Sequence, residues 1–317
     1  MSGLGRAVWR VVARWEVILI VLIVATGIWS ATLSSFFLQR ANLLDLLTPY
    51  IFLGLLAFGL TFVVIAGEID ISVAGIIALA SVAMGLAAEQ GADSATLAVT
   101  GLGTGLLAGC VNGALVTLGR VPSIVATIGT MTLFRGAAYA VLGDRVLKNY
   151  PASFAEFGQG YLFGPVSIEL ALFVVCALVA ALFLHGTRWG RVVFAIGANP
   201  VATRFAGIPV GRYRFALFAL TGLASGMAAV LLTSRLGSTR PSIAQGWELE
   251  IISIVILGGV SVWGGKGSIL GVVLAALVFG LVTFGLGLMN IPGIVMSIFT
   301  GTLLILVVAM PAVLQRK

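Results

Sequence analysis

Val121-Pro122-Ser123-Ile124-Val125-Ala126-Thr127-Ile128-Gly129-Thr130-Met131-Thr132-Leu133 reads against Ile291-Pro292-Gly293-Ile294-Val295-Met296-Ser297-Ile298-Phe299-Thr300-Gly301-Thr302-Leu303, with proline, isoleucine, valine, threonine and leucine in register. Upstream, Gly67-Glu68-Ile69-Asp70-Ile71 is answered by Trp247-Glu248-Leu249-Glu250-Ile251. Between these anchors each half carries small residues at every fourth position: Gly101, Gly105, Gly109 and Gly113 in the first, Gly267, Gly271 and Ala275 in the second. That spacing lines one helix face with small side chains and lets a neighbouring backbone come close. Three matches in the same order predict an internal repeat.

The medium in which these halves fold follows from composition. Sixty per cent of the residues are hydrophobic and 9% are charged, with a mean hydropathy of +1.16 in 32.8 kDa. Too little polar surface remains to coat a soluble particle of this size, so the chain reads as an all-α polytopic membrane protein. A spanning helix needs about 20 mostly apolar residues, because a backbone in lipid must satisfy its own hydrogen bonds. By that measure we expect about ten transmembrane helices, near 15–37, 43–66, 72–89, 95–118, 122–142, 166–185, 214–234, 247–263, 268–288 and 291–312. The third, fifth and eighth are candidates for broken or partly spanning segments. A unit of five spans is odd in number, so its second copy enters the membrane from the opposite side. The expectation is two inverted five-helix repeats, approximately 43–142 and 214–312, within one transmembrane domain covering 1–317.

Lysine and arginine in short loops stay on the cytoplasmic side. Arg6, Arg10 and Arg14, then Arg188, Arg191, Arg204, Arg212 and Arg214, then Arg316 and Lys317, all fall on one side of a ten-span chain. Both termini are therefore expected in the cytoplasm. The net charge of +7 follows from this bias, and no nucleic-acid partner is needed to explain it. The first apolar run is longer than a signal-peptide core and lacks a small-x-small cleavage site, so it reads as a retained helix. Cys110 and Cys176 both fall within expected spans and read as packing residues.

Polar groups in apolar context carry the functional signal. Glu68 and Asp70 lie between two apolar runs, joined by a connection too short for an ordinary loop. A carboxylate near the membrane centre costs on the order of 3 kcal/mol, so the pair must face protein, water or headgroups. They either cap the third helix in a tight turn, or belong to a discontinuous helix that shapes a solute path or a partner contact, or relay protons. Glu248 and Glu250 are their counterparts in the second half, expected near the opposite face. Asn112, Arg135 and Lys266 are the other polar positions; Arg135 either snorkels or pairs with a membrane acid. Thr127, Thr130, Ser297 and Thr300 are repeat-related hydroxyls that suit transient contact with a hydroxylated solute. Interhelical hydrogen bonds of about 1 kcal/mol each are the competing explanation.

Gly258 to Ser268 superficially resembles a phosphate loop, but the G-x-x-x-x-G-K-[ST] spacing fails and Gly267 stands where a hydroxyl is required. With a single histidine, His185, and no metal-ligating or nucleophilic set, catalysis by this chain is not expected. The stretch from His185 to Arg214 is too polar to span. Asn199-Pro200 is a helix start, with asparagine as cap and proline at the first position. Val201, Ala202, Phe205 and Ala206 supply an apolar stripe, and Gly207 ends the turn. Such a short helix either rests on lipid or docks a soluble subunit.

Gly67-Glu68-Ile69-Asp70-Ile71-Ser72-Val73, Pro122 to Thr130, Gly190-Arg191 with Ala195-Ile196-Gly197-Ala198-Asn199-Pro200, and Glu248-Leu249 with Leu257-Gly258-Gly259 resemble the membrane permeases of ribose-type carbohydrate ABC importers over nearly the whole chain. Ala219 to Ser225 and the Phe154-to-Phe163 loop are most similar to permeases for autoinducer-2 and rhamnose. Ala74 and Ala198 depart from the family pattern, where glycine is frequent. The resemblance implies a type II ABC importer-like fold in a bacterial inner membrane. It also implies a non-catalytic permease with no cofactor of its own, importing a sugar or sugar-like solute. Its partners would be a second permease, identical or a sister chain, a periplasmic solute-binding protein, and ABC ATPase subunits that bind ATP-Mg. The cytoplasmic coupling segment would be 186–213, with Asn199, Pro200, Ala202, Thr203, Ala206, Gly207 and Ile208 meeting the ATPase. The alternative is an ion-coupled secondary transporter, motivated by inverted repeats with buried acids.

Overall fold

In the computed structural model of the chain, the described residues are 15–33, 37, 40–164, 166–293, 295, 296, 298, 301, 302 and 305. The basic residues of both termini lie outside them, as does most of the expected segment 291–312. The helices are α1 (Trp15–Leu33), α2 (Arg40–Ile65), α3 (Val73–Glu89), α4 (Ser94–Thr117), α5 (Ser123–Leu142), the short α6 (Glu156–Gln159), α7 (Ile168–Ala181), α8 (Arg188–Ala198), α9 (Pro200–Phe205), α10 (Val210–Leu236), α11 (Trp247–Leu257) and α12 (Ile269–Leu288). A π turn over Leu182–Gly186 extends α7, and a small antiparallel hairpin of β1 (Tyr161–Phe163) and β2 (Val166–Ser167) precedes it. Among the described residues, six helical segments are long and apolar enough to cross a membrane: Trp15–Thr32, Ser94–Thr117, Ser123–Leu142, Ile168–Gly186, Val210–Leu236 and Ile269–Leu288. Tyr50–Ile65 and Val73–Glu89 are shorter apolar helices.

Helix starts follow side-chain caps that are readable in the chain. Asp93 accepts from the Thr96 N–H at 2.8 Å, Ser167 from Leu170 at 3.2 Å, Thr187 from Gly190 at 3.2 Å and Asn199 from Ala202 at 2.9 Å. Hydrogen bonding from the Thr96 hydroxyl, and then from its N–H, holds the exposed Asp93 carboxyl below the usual carboxylate range. α11 stops at Leu257, well short of the expected 263. Gly258 and Gly259, the latter at φ +82°, turn the chain away there.

α2 is the centre of the molecule. Every residue from Ile51 to Ala66 is buried, and α7, α8, α10, α11 and α12 all pack against it. A helix apolar on all sides belongs in such a position. α4 and α10 form the most extensive helix pair, through interlocked glycines. A Cβ on Gly105 would meet the Gly222 carbonyl and lie 2.6 Å from Gly226 Cα, and one on Gly222 would lie 2.6 Å from Gly109 Cα. Backbone touches backbone there, so the stripe Gly101, Gly105, Gly109 does what its spacing predicts, with Gly222 and Gly226 as partners.

The connections sort to two ends of the bundle. At one end, 66–72 meets α5 through the Ile69 N–H donating to Ser123 Oγ at 3.2 Å, and meets 197 and 264 through close backbone contact at Gly67. At the other end, Leu147 and Thr239 exchange backbone hydrogen bonds of 3.0 and 2.8 Å, and Ser94 bonds Ser153 at 2.7 Å. Tyr150 Oη bonds Thr239 Oγ1 at 2.6 Å at this second end, and burial pushes the phenol up to about 12.

Candidate functional site

Two helices are too short for the membrane they help to fill. At about 1.5 Å per residue, the 17 residues of α3 rise about 25 Å and the 11 of α11 about 16 Å, against about 30 Å of hydrocarbon. Their approaches, 66–72 and 238–246, are irregular backbone tucked into the bundle. Irregular backbone at that depth is tolerated only where protein or a water-filled cavity satisfies it. Ala244 at φ +55° and Gly246 at φ +92° make the sharp turn that starts α11.

The first approach carries Glu68 and Asp70. Arg214 Nε lies 2.8 Å from Glu68 Oε1, an ion pair whose N–H is not aligned for a hydrogen bond. Asp70 is fully buried; its Oδ1 accepts from the Ser72 N–H at 2.9 Å and from Ser72 Oγ at 2.6 Å. Asn112 Nδ2 of α4 in turn donates to Ser72 Oγ at 2.6 Å. Asp70 Oδ2 and Asn112 Oδ1 are buried acceptors without a hydrogen-bond partner among the described residues. Asp70 thus does not cap α3 from the solvent side; it anchors an interior chain of polar groups.

The second approach is held by a residue whose partner the sequence does not assign. The Arg135 guanidinium, projecting from α5, donates to the carbonyls of Pro241 at 2.8 Å and Ile243 at 2.9 Å, and to Ala74 in the first turn of α3 at 2.9 Å. One side chain therefore ties the second approach to the first turn of α3. Glu248 lies within electrostatic reach of Arg135, and its Oε2 is buried without a hydrogen-bond partner. Glu250, also in the first turn of α11, is part-buried and near Glu248.

Thr127 is buried, its hydroxyl bonding the Ser123 carbonyl at 2.8 Å and the Ile69 carbonyl at 3.3 Å; Thr130 bonds the Thr127 carbonyl at 3.3 Å. Ser297 and Thr300 lie outside the described residues. Glu169 and Arg235, singled out by no sequence argument, pair at 3.1 Å across the α7 start and the α10 end.

The expected docking segment is a projecting helical pair. α8 buries Gly190, Val193 and Ile196 against the bundle, and α9 follows at once through the Asn199 cap. Thr203 is buried and its hydroxyl bonds the Ala195 carbonyl at 2.9 Å, which fixes α9 on α8. Asn199, Ala202, Ala206 and Gly207 are exposed, Pro200 and Ile208 partly so, and Gly207 takes φ +81°. Val201 and Phe205 are 60% and 88% exposed. Sequence reasoning placed α9 but missed α8, whose amphipathic 188–198 pattern was available to read.

Residues 42–308 match the family described as the permease component of branched-chain amino acid transport systems. The chain belongs to this permease family. It is similar to the autoinducer 2 import system permease protein LsrD of Escherichia coli strain K12 and of Shigella flexneri. Each is 35% identical over 305 residues, which is 94% of this chain and 92% of the relative. No solved structure matches the chain. The chain is a multi-pass permease component of an ABC importer, and the ion-coupled alternative gains no support from these relatives.

Proposed function

We propose that this chain is the non-catalytic permease that passes a sugar or sugar-like solute across a bacterial inner membrane, powered by separate ATPase subunits that hold ATP-Mg. The observation that carries this reading is the likeness to autoinducer 2 import permeases over 94% of the chain, coupling segment included. A periplasmic solute-binding protein would deliver the solute, and a second permease, identical or a sister chain, would complete the pathway. Neither a cofactor nor a metal of its own is invoked.

The proposed architecture has ten spans, with both termini cytoplasmic and inverted repeats near 43–142 and 214–312. The repeat is supported by an exchange of partners: α4 packs on α10 while α12 packs on α2, as a pseudo-two-fold axis requires. Segment 186–213 would dock an ATPase through Asn199, Pro200, Ala202, Thr203, Ala206, Gly207 and Ile208. Closure of the ATPases would then shift the bundle between inward-open and outward-open states. Glu68, Asp70, Glu248 and Glu250 would act at the broken-helix approaches, where small movements open or close a path. For Thr127 and Thr130 we favour a structural role, since both hydroxyls already bond carbonyls, Thr130 within α5 and Thr127 also to Ile69; Ser297 and Thr300 keep the proposed path contact.

Uptake of labelled autoinducer 2, ribose and leucine by cells expressing this chain with its partner subunits and binding protein tests the reading. Uptake of a sugar-like solute that leucine does not compete is the expected result. Leucine uptake alone would move the solute class to amino acids.

A further inference from the structure

The loop between α11 and α12, residues 258–268, is absorbed by none of the roles above. Its conformation is closely determined. The Ser261 N–H donates to the Lys266 carbonyl at 3.0 Å, the Gly264 N–H to the Ser261 carbonyl at 2.9 Å and the Gly265 N–H to the Ile65 carbonyl at 2.8 Å. Gly264 and Gly265 take φ +81° and +73°, which only glycine adopts without strain. A Cβ on Gly264 would lie 3.0 Å from the Gly197 carbonyl and from Gly67 Cα, and one on Gly265 would lie 3.0 Å from Ala198 Cα. The loop thus interlocks with the end of α2 and with the two residues that precede the Asn199 cap of α9.

At the tip of this fixed loop Trp263 is 91% exposed, with Lys266 also exposed nearby. An indole with almost none of its surface covered by its own chain marks a contact made with something else. Interfacial lipid is one candidate, because tryptophan is common at the ends of spanning helices. Position argues against it. The loop packs on the end of α2, the central helix, through the Gly265 N–H and the Ile65 carbonyl. It is also continuous, through Gly197 and Ala198, with the segment that presents Val201 and Phe205.

We propose that Trp263 and the 258–268 loop form a second contact with the same ATPase subunit that docks on α9, so that the nucleotide-driven motion reaches both halves of the permease directly. The inference rests on the proposed docking of α9. The 258–268 loop lies within the second repeat and Gly67 within the first, and the coupling segment touches both.

The test uses the assembled transporter with Cys110→Ser and Cys176→Ser as background. Val201→Cys or Trp263→Cys is introduced, and each is treated with a short thiol-to-amine crosslinker. Crosslinks from both positions to the ATPase subunit are expected. A crosslink from Val201→Cys without one from Trp263→Cys overturns the second contact and leaves the α9 reading standing. Crosslinks from neither position remove both. Labelling of Trp263→Cys only by a maleimide-bearing phospholipid in vesicles also overturns the proposal, in favour of membrane anchoring. As an independent readout, Trp263→Ala should lower co-purifying ATPase about tenfold, with Trp263→Phe restoring most of it. Equal recovery with Trp263→Ala and with the unaltered chain contradicts the proposal.

Discussion

The two acid-bearing stretches, 66–72 and 238–250, each lead into or begin a short helix and are held in different ways. In the first, both acids meet polar side chains, one of them from α10. Glu68 has Arg214, and Asp70 has Ser72 backed by Asn112. The second depends on a visitor: Arg135, from the first half, satisfies Pro241 and Ile243 and lies near Glu248, which leaves one oxygen unbonded. Acids with side-chain partners and carbonyls strapped by one guanidinium respond differently to the loss of a single group. The difference marks the second approach as the one that depends most on a single side chain, Arg135.

The largest effect that sharpens this contrast is expected at Arg135. Arg135→Ala leaves three carbonyls without their donor, at about 1–3 kcal/mol each, and strips Glu248 of its nearby positive charge. ATP-driven uptake should fall at least tenfold in membranes holding equal amounts of protein, and Arg135→Lys should recover little, since an ammonium lacks the planar fork. Near-normal uptake by Arg135→Ala would break the comparison.

Next comes Asp70. Asp70→Ala takes the acceptor from both the Ser72 N–H and its hydroxyl and should lower thermal stability in detergent by about 1–3 kcal/mol. Asp70→Asn keeps one oxygen for Ser72 and should cost less than about 1 kcal/mol. Equal losses for the two would mean that charge, and not the acceptor, is what the first approach needs.

The smallest effect belongs to the Glu68–Arg214 pair, which is partly open to solvent. A double-mutant cycle through Glu68→Gln and Arg214→Gln should return a coupling of about 1 kcal/mol or less once screening is allowed for, reduced further by salt. A coupling several times larger would make this pair, and not the Asp70 chain, the anchor of the first half.

Hydropathy and small-residue spacing revealed the membrane class, the glycine face of α4 and the cap of α9, because each is a local pattern with a local cause. The acids were visible as two pairs, but their unequal surroundings were not. Asn112 finds Ser72 and Arg135 finds three carbonyls only after distant segments meet, and backbone carbonyls leave no trace in a side-chain sequence. The early stop of α11 was likewise hidden by the apolar residues Val260 and Val262 beyond it. Two glycines, Gly258 and Gly259, override that hydropathy through backbone conformation.

The most direct test of the account is solute uptake into proteoliposomes holding this permease with its second permease, ATPase subunits and binding protein. The unaltered complex is compared with one in which Val201–Phe205 is replaced by glycine and serine. The account predicts uptake that requires ATP and binding protein and disappears with the replacement. Accumulation driven by an ion gradient, without ATP and unaffected by the replacement, would contradict it.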